Sequence, residues 1–324
     1  MSSAQERTLA QYHGLMQVNA SSHLLRSARN LGVLKELREG QRTRTQLAES
    51  LSLVPDRLSL LIEALMAIGI VESYGDDLAL SRAGHLLCQY DEDFGDGVWQ
   101  TLESLVRGEV QREASDDLMQ SNYLAATQWI HTSSAMQAAE ILDVGGESMP
   151  KGISILDLGC GSGVWGAAMA YRDEESHLTV ADLPSAVASA KATAESIGLT
   201  DRFTTIEGDP DEVAIESGAF DLSLVAQRLS ARADEPAVSL IARAAEATKP
   251  GGQVVVIDLF RGKSNLNLSD SIEALRLDLA TRAGRMRTLQ EGQAIMAAAG
   301  LGDVQFTYLP DSRTQLGMLV GRKA

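Results

Sequence analysis

The chain is poor in several things, and each shortage narrows what it does. Only two of its 324 residues are cysteine, Cys88 and Cys160. Two thiols so far apart suggest a reducing compartment and no disulfide framework. Aromatic residues make up 4% against a hydrophobic content of 44%. The core is therefore expected to be aliphatic, and large enough for one big or two ordinary domains. Basic residues are outnumbered, leaving a net charge of −16. That argues against a nucleic-acid backbone or an anionic membrane as the main partner. No apolar run approaches the length of a membrane span. Residues 1–7 lack the apolar core of a signal peptide, so a cytoplasmic protein is expected. Histidine is also scarce: His13, His23, His85, His131 and His177, with none after His177.

What is present centres on Ile153-Ser-Ile-Leu-Asp-Leu-Gly-Cys-Gly-Ser-Gly163. An apolar run of strand length, 153–158, breaks into glycines at alternate positions, Gly159, Gly161 and Gly163. A helical face of Val164, Ala167, Ala168 and Tyr171 follows. Strand, glycine turn and helix form the entry of a nucleotide-type ligand into an open α/β sheet, because glycines let the backbone approach without a Cβ in the way. Asp182 ends the next strand-like run, 177–182. A carboxylate there can accept both hydroxyls of a ribose. Cys160, inside the turn, reads as a small structural residue.

The spacing of apolar residues predicts one helix over 8–38, which Gly32 interrupts without ending. A short helix over 44–51 has Thr45 as its expected cap, and another opens at Pro55 and stops at Gly69. Residues 70–80 read as a β-hairpin closed by Gly75-Asp-Asp77. Three helices and a hairpin make a winged helix. Its basic residues Arg42, Arg44 and Arg57 are offset by Glu49, Asp56 and Glu63, which does not suit a helix that reads DNA. Oligomerisation is the better reading. Residues 91–150 form a connector with helices over 97–107 and 116–142. From 153 onward strands and helices alternate, which predicts a parallel sheet with right-handed crossovers. Strands fall at 203–207, 220–226 and 254–259, with helices at 184–198, 234–248, 271–280 and 288–299 and a polar loop at 260–270. Runs at 304–309 and 315–320 read as a closing hairpin that puts an antiparallel strand at the sheet edge.

Taken together, these pieces resemble the class I S-adenosylmethionine-dependent methyltransferases. More narrowly, they resemble small-molecule O-methyltransferases with an N-terminal winged-helix dimerisation domain. The resemblance rests on Leu31-Gly-Val-Leu-Lys-Glu-Leu37, Leu61-Ile-Glu-Ala-Leu65, Asp157-Leu-Gly-Cys-Gly-Ser-Gly163, Ala181-Asp-Leu-Pro184, Gly208-Asp209 and Pro250-Gly-Gly252, in that order. It implies an α/β fold with a Rossmann-like, mostly parallel sheet and an antiparallel terminal strand, preceded by an all-helical winged-helix dimerisation domain. The implied divisions are 1–95 for dimerisation, 96–150 for a helical connector lining the substrate pocket, and 151–324 for cofactor binding. S-adenosylmethionine, leaving as S-adenosylhomocysteine, is the implied cofactor, with no metal. A homodimer acting on a small, aromatic or polyketide-like metabolite is the implied assembly and substrate class. Residue by residue, the family places the cofactor's methionine part over Gly159 and Gly161 beside Asp157 and Gly163. It gives the ribose to Asp182, sets Leu183 beside the adenine and Asp209 and Pro210 at its amino group, and puts Gln227 and Arg228 near the sulfonium.

One departure changes the chemistry. The family's strand four leads to a His-Asp-Trp-like segment whose histidine takes the substrate's proton. An ungapped count back from Pro250 puts Ser230 at that position, and a serine hydroxyl cannot replace imidazole as general base. His131 and Asp258 are the remaining catalytic candidates. The cluster Arg276, Arg282, Arg285 and Arg287 reads as a solvated face or as a site for an acidic substrate group. Methyl transfer by proximity and alignment to an already acidic nucleophile is the leading expectation. A non-methylating hydroxylase, decarboxylase or cyclase on the same scaffold stays open, as does a regulatory protein that contacts DNA.

Overall fold

The computed structural model describes residues 4–90, 96–109, 114–261, 268–310, 312 and 316–324. Its contacts divide the chain into two compact units, Met1–Gly97 and Val98–Ala324.

The first unit opens with helix α1 (Ala4–Asn30) and α2 (Val33–Glu39). The single helix expected over 8–38 is thus two. Gly32 adopts φ 82°, and a Cβ there would lie 3.1 Å from the Leu51 side chain, so this residue turns the chain instead of continuing the helix. Strand β1 (Arg42–Thr43) leads into α3 (Arg44–Ser50), α4 (Pro55–Ala67), the hairpin β2 (Val71–Tyr74) and β3 (Asp77–Leu80), and α5 (Arg82–Tyr90). The cap of α3 is Thr43, not Thr45. Its hydroxyl accepts from Gln46 N–H while Gln46 Oε1 accepts from Thr43 N–H, a reciprocal capping box. Nor is the unit all helical, because β1 joins the hairpin in a three-stranded antiparallel sheet of order β1-β3-β2. Leu34, Leu37, Leu47, Ile62, Leu65 and Leu78 fill its aliphatic core. By contrast, the first turns of α1 expose Leu9, Tyr12, Leu15, Met16 and Val18.

After α6 (Asp96–Trp99), the second unit runs through α7 (Leu102–Val106), α8 (Ala114–Thr127), a 3-10 turn (Gln128–His131) and α9 (Thr132–Ile141). Where one helix was expected over 116–142, the 3-10 turn breaks it and fixes Gln128 and His131 in space. An alternation of strand and helix follows, made of β4 (Ser154–Leu158), α10 (Val164–Arg172), β5 (His177–Asp182), α11 (Pro184–Ser196), β6 (Phe203–Glu207), β7 (Phe220–Ala226) and α12 (Asp234–Ala247). The chain closes with β8 (Thr248–Arg261), α13 (Leu268–Ala280), β9 (Arg287–Thr288), α14 (Leu289–Ala298), β10 (Leu301–Tyr308) and β11 (Leu316–Lys323). The middle of the polar loop expected over 260–270 lies outside the described residues.

The main sheet has the order β10-β11-β8-β7-β4-β5-β6, with β9 beside the end of β8. All its pairs are parallel except β11 with β8 and β10 with β11. The antiparallel strand therefore lies one place in from the edge, and β10 takes the edge. Burial explains the order: Leu316, Met318 and Leu319 of β11 are buried, while β10 carries Asp303, Gln305 and Thr307, which suit a water-facing rim. Period-two alternation feeds both faces. Ile155, Leu222, Leu224 and Ile257 pack toward α9 and α10, and Leu156, Val225, Val254 and Val256 toward α12 and α14. This packing holds the C-terminal ends of β4, β5 and β7 at one crevice. Among the described residues no helix is long and apolar enough to cross a membrane.

Candidate functional site

The site begins where β4 stops. Gly159, Gly161 and Gly163 have φ of 74°, 56° and 73°, a conformation that side chains disfavour. Gly159 N–H donates to Ala181 O at 2.8 Å, tying the turn to β5. At the end of β5, Asp182 is fully buried and gathers donors. Its Oδ2 accepts from Gly161 N–H at 2.9 Å and its Oδ1 from Leu183 N–H at 2.8 Å. Asp157, also fully buried, accepts from Gly166 N–H at 3.0 Å through Oδ2, while Oδ1 has no partner among the described residues. Burial pushes its carboxyl up to about 7.

The far wall comes from the end of β7. Gln227 turns the chain at φ 56°, and Arg228 folds back over the glycines with only 3% of its surface exposed. Its Nε donates to Gly159 O at 2.9 Å, one Nη to Ser121 Oγ at 2.8 Å, and the other Nη pairs with Asp182 Oδ2. A Cβ built on Gly159 would lie 2.8 Å from Arg228 Nε, and one on Gly161 would lie 2.2 Å from Gln128 Oε1. A side chain at either glycine would thus collide with the chain's own side chains. Gln128 Oε1 also accepts from Ser162 N–H at 3.1 Å.

The catalytic candidates separate. His131 stacks on Trp165, with centroids 5.9 Å apart and planes 23° from parallel. Gln227 Nε2 donates to its Nε2 at 3.1 Å. Burial lowers the imidazole to about 4, outweighing the opposing pull of Glu273, so at neutral pH the ring is an uncharged acceptor. Asp258 is fully buried and holds the backbone: it accepts from Leu229 N–H at 2.7 Å, Ser230 N–H at 3.0 Å and Leu259 N–H at 2.7 Å. The Ser230 hydroxyl bonds to the same carboxylate. Desolvation raises Asp258 despite these donors. Asp258 and the Ser230 hydroxyl bonded to it thus shape the segment after β7.

Most of the arginine cluster is committed as well. Arg276 pairs with Glu273, donates to Gln120 Oε1 at 2.9 Å and lies over the Tyr123 ring. Arg285 pairs with Asp234 and Glu291. Arg287, 1% exposed, holds the carbonyls of Leu229 and Arg232 and the Asp234 carboxylate. Arg282 alone of the four borders the cavity beside the crevice. That cavity, of about 690 Å³, is walled by Gln120, Ser121, Asp182, Leu183, Asp209, Pro210, Arg228 and Arg232 among others. Its size suits a small molecule.

A family model described as an O-methyltransferase domain matches residues 75–302. The chain belongs to this O-methyltransferase family. Demethylspheroidene O-methyltransferase of Cereibacter sphaeroides is 24% identical over 315 residues, covering 88% of this chain and 79% of that protein. Aclacinomycin 10-hydroxylase of Streptomyces purpurascens is 30% identical over 151 residues, which is 45% of this chain and 39% of that protein. Human N-acetylserotonin methyltransferase, solved with S-adenosylmethionine, shares the fold at a TM-score of 0.72 and 20% identity, with 100% and 99% of the two chains covered.

In this methyltransferase the sheet brings the expected residues to one crevice: Asp157, Gly159, Gly161 and Gly163 from the turn, Asp182 and Leu183 after β5, Asp209 and Pro210 after β6, and Gln227 and Arg228 after β7. Sequence reasoning missed Gln128 and Ser121. Neither stands in a motif, and their partners Ser162 and Arg228 lie 34 and 107 residues away, so no local signal marks them.

Proposed function

We propose that this enzyme transfers a methyl group from S-adenosylmethionine to an oxygen of a small secondary metabolite that arrives already acidic. The carrying observation is the left-handed glycine turn whose amide, at Gly161, shares the buried Asp182 carboxylate next to a ligand-sized cavity. The crevice's own polar atoms suit the cofactor. Asp157 Oδ1, Gln128 Nε2, Ser162 Oγ and Gln227 Oε1 are buried and find no partner among the described residues, and buried polar atoms are normally paired. Asp182 would hold the ribose, Leu183, Asp209 and Pro210 the adenine, and the turn with Gln227 the methionine end. When bound, S-adenosylmethionine supplies an electrophilic methyl on its sulfonium. The protein's part is alignment and exclusion of water, which can lower a barrier by about 7–11 kcal/mol at best.

Base chemistry is weak in this site. Ser230 is tied to Asp258, and His131 titrates at about 4, a poor acceptor for an ordinary phenol proton. The substrate's own acidity therefore takes the place of the missing imidazole. Product mass spectrometry and a series of phenols of graded pKa test this. We expect a gain of one methyl, formation of S-adenosylhomocysteine, and rates that fall as the phenol pKa rises above the assay pH. A rate independent of substrate pKa overturns the acidic-nucleophile reading. A product that gains oxygen instead, as the hydroxylase relative's name describes for that protein, overturns methyl transfer.

The same reading includes a homodimer formed through the N-terminal winged-helix region, supported by the apolar residues that α1 exposes. A reducing, cytoplasmic setting is supported by two free cysteines.

A further inference from the structure

The crevice has a feature that the proposed function does not use: its ribose acceptor is already taken by the chain itself. Asp182 has about four acceptor positions, as any carboxylate does. Three are filled, by Gly161 N–H, Leu183 N–H and the Arg228 guanidinium. A ribose diol needs two, and only one is left. Arg228 also lies across the face of Gly159, close enough that even a methyl group there would collide with Nε. Both side chains of the pair are almost wholly buried, at 4% and 1% exposure, so this is a built contact and not a surface rotamer. The cavity that Arg228 borders gives its side chain room to withdraw.

We infer that Arg228 is a self-ligand of the cofactor cradle, a latch that occupies Asp182 and has to open before a ribose can bind there. The inference rests on the S-adenosylmethionine reading above. Three consequences follow from the geometry. Binding is weakened by the fraction of molecules in which the latch is closed, since only the open form is competent. Like charge adds to this, because the guanidinium and a sulfonium cannot share the crevice without repulsion. Opening also breaks the Arg228 bond to Ser121, so release of the cradle loosens α8, which walls the cavity. Entry of the cofactor and freedom of that wall are thereby coupled.

Isothermal titration with S-adenosylhomocysteine, which has the ribose but no sulfonium, tests the latch. Arg228→Met keeps the side chain's length and removes its donors. We expect it to bind at least tenfold tighter than the wild type, and Ser121→Ala, which removes one of the three anchors, to bind about two- to fivefold tighter. Arg228→Lys is the alternative should Arg228→Met not fold, because one ammonium cannot span all three anchors; it is expected to bind several-fold tighter. In stopped flow, the wild-type binding rate should level off at the latch-opening rate as ligand rises. Equal or weaker binding by the folded Arg228 variants, or a wild-type rate that stays linear in ligand, overturns the latch while leaving the cofactor reading standing. Failure of both wild type and variants to bind S-adenosylhomocysteine overturns the cofactor reading, and the latch falls with it.

Discussion

At the scale of single residues, environment has reassigned roles that residue type alone suggests. His131 lies near the crevice of the second unit, yet the structure makes it a poor base. Its ring is half-buried, stacked on Trp165, and accepts from Gln227, and desolvation lowers it from 6.5 to about 4. Between those pH values the unfolded chain binds a proton that the native state refuses. Stability therefore rises with pH across this window and is lost on acidification through it, by up to about 3 kcal/mol. We expect His131→Asn to lose correspondingly less stability than the wild type between pH 7 and pH 4 in urea titrations. Parallel stability curves for the two proteins would contradict the assignment. Ser230 shows how far such roles were legible. Its place opposite the family's histidine could be counted along the chain, but its bond to Asp258 could not, because the two are 28 residues apart.

At the scale of elements, the segment from the end of β7 to the start of α12 sets the shape of the crevice. Two buried groups from distant parts of the chain hold it. Asp258 takes the amides of Leu229 and Ser230, and Arg287 takes the carbonyls of Leu229 and Arg232. Arg287→Met leaves two carbonyls without a donor, at roughly 1–3 kcal/mol each, so a loss of about 3 kcal/mol in denaturant stability is expected. An unchanged midpoint would show that the clamp contributes nothing. The start of α14 is held more locally. Thr288 and Glu291 bond reciprocally, and contact with Thr288 and Arg285 lowers Glu291 to about 2. Thr288→Ala should cost about 1 kcal/mol, read from the thermal midpoint. Boundaries of this kind were readable where the signal is local, as at the strand ending before Gly159. They were misread where it is not. Gly32 ended a helix that periodicity carried through, and Thr43, not Thr45, caps α3, because the register of a cap depends on which hydroxyl reaches an amide.

At the scale of the whole molecule, the proposed dimer has its own test. Leu15 and Val18 are 64% and 66% exposed on α1. The double change Leu15→Glu, Val18→Glu is expected to yield monomers in light scattering without lowering the thermal midpoint of the monomer; a retained dimer would move the interface elsewhere. The sequence by itself determined the alternation of strand and helix from 153 onward, the mostly parallel sheet, the glycine turn and the acid at the end of β5. Those features follow from periodicities of two and 3.6 residues and from backbone conformations only glycine adopts readily, all of which are written locally. Only the tertiary structure decided that β11 lies inside the edge, that His131 is uncharged, that Asp258 holds backbone amides and the Ser230 hydroxyl, and that Arg228 covers Asp182. Each of these depends on desolvation or on partners remote in sequence, Arg228 and Asp182 being 46 positions apart. No local pattern encodes such a meeting; it exists only once the sheet has brought the ends of β5 and β7 together.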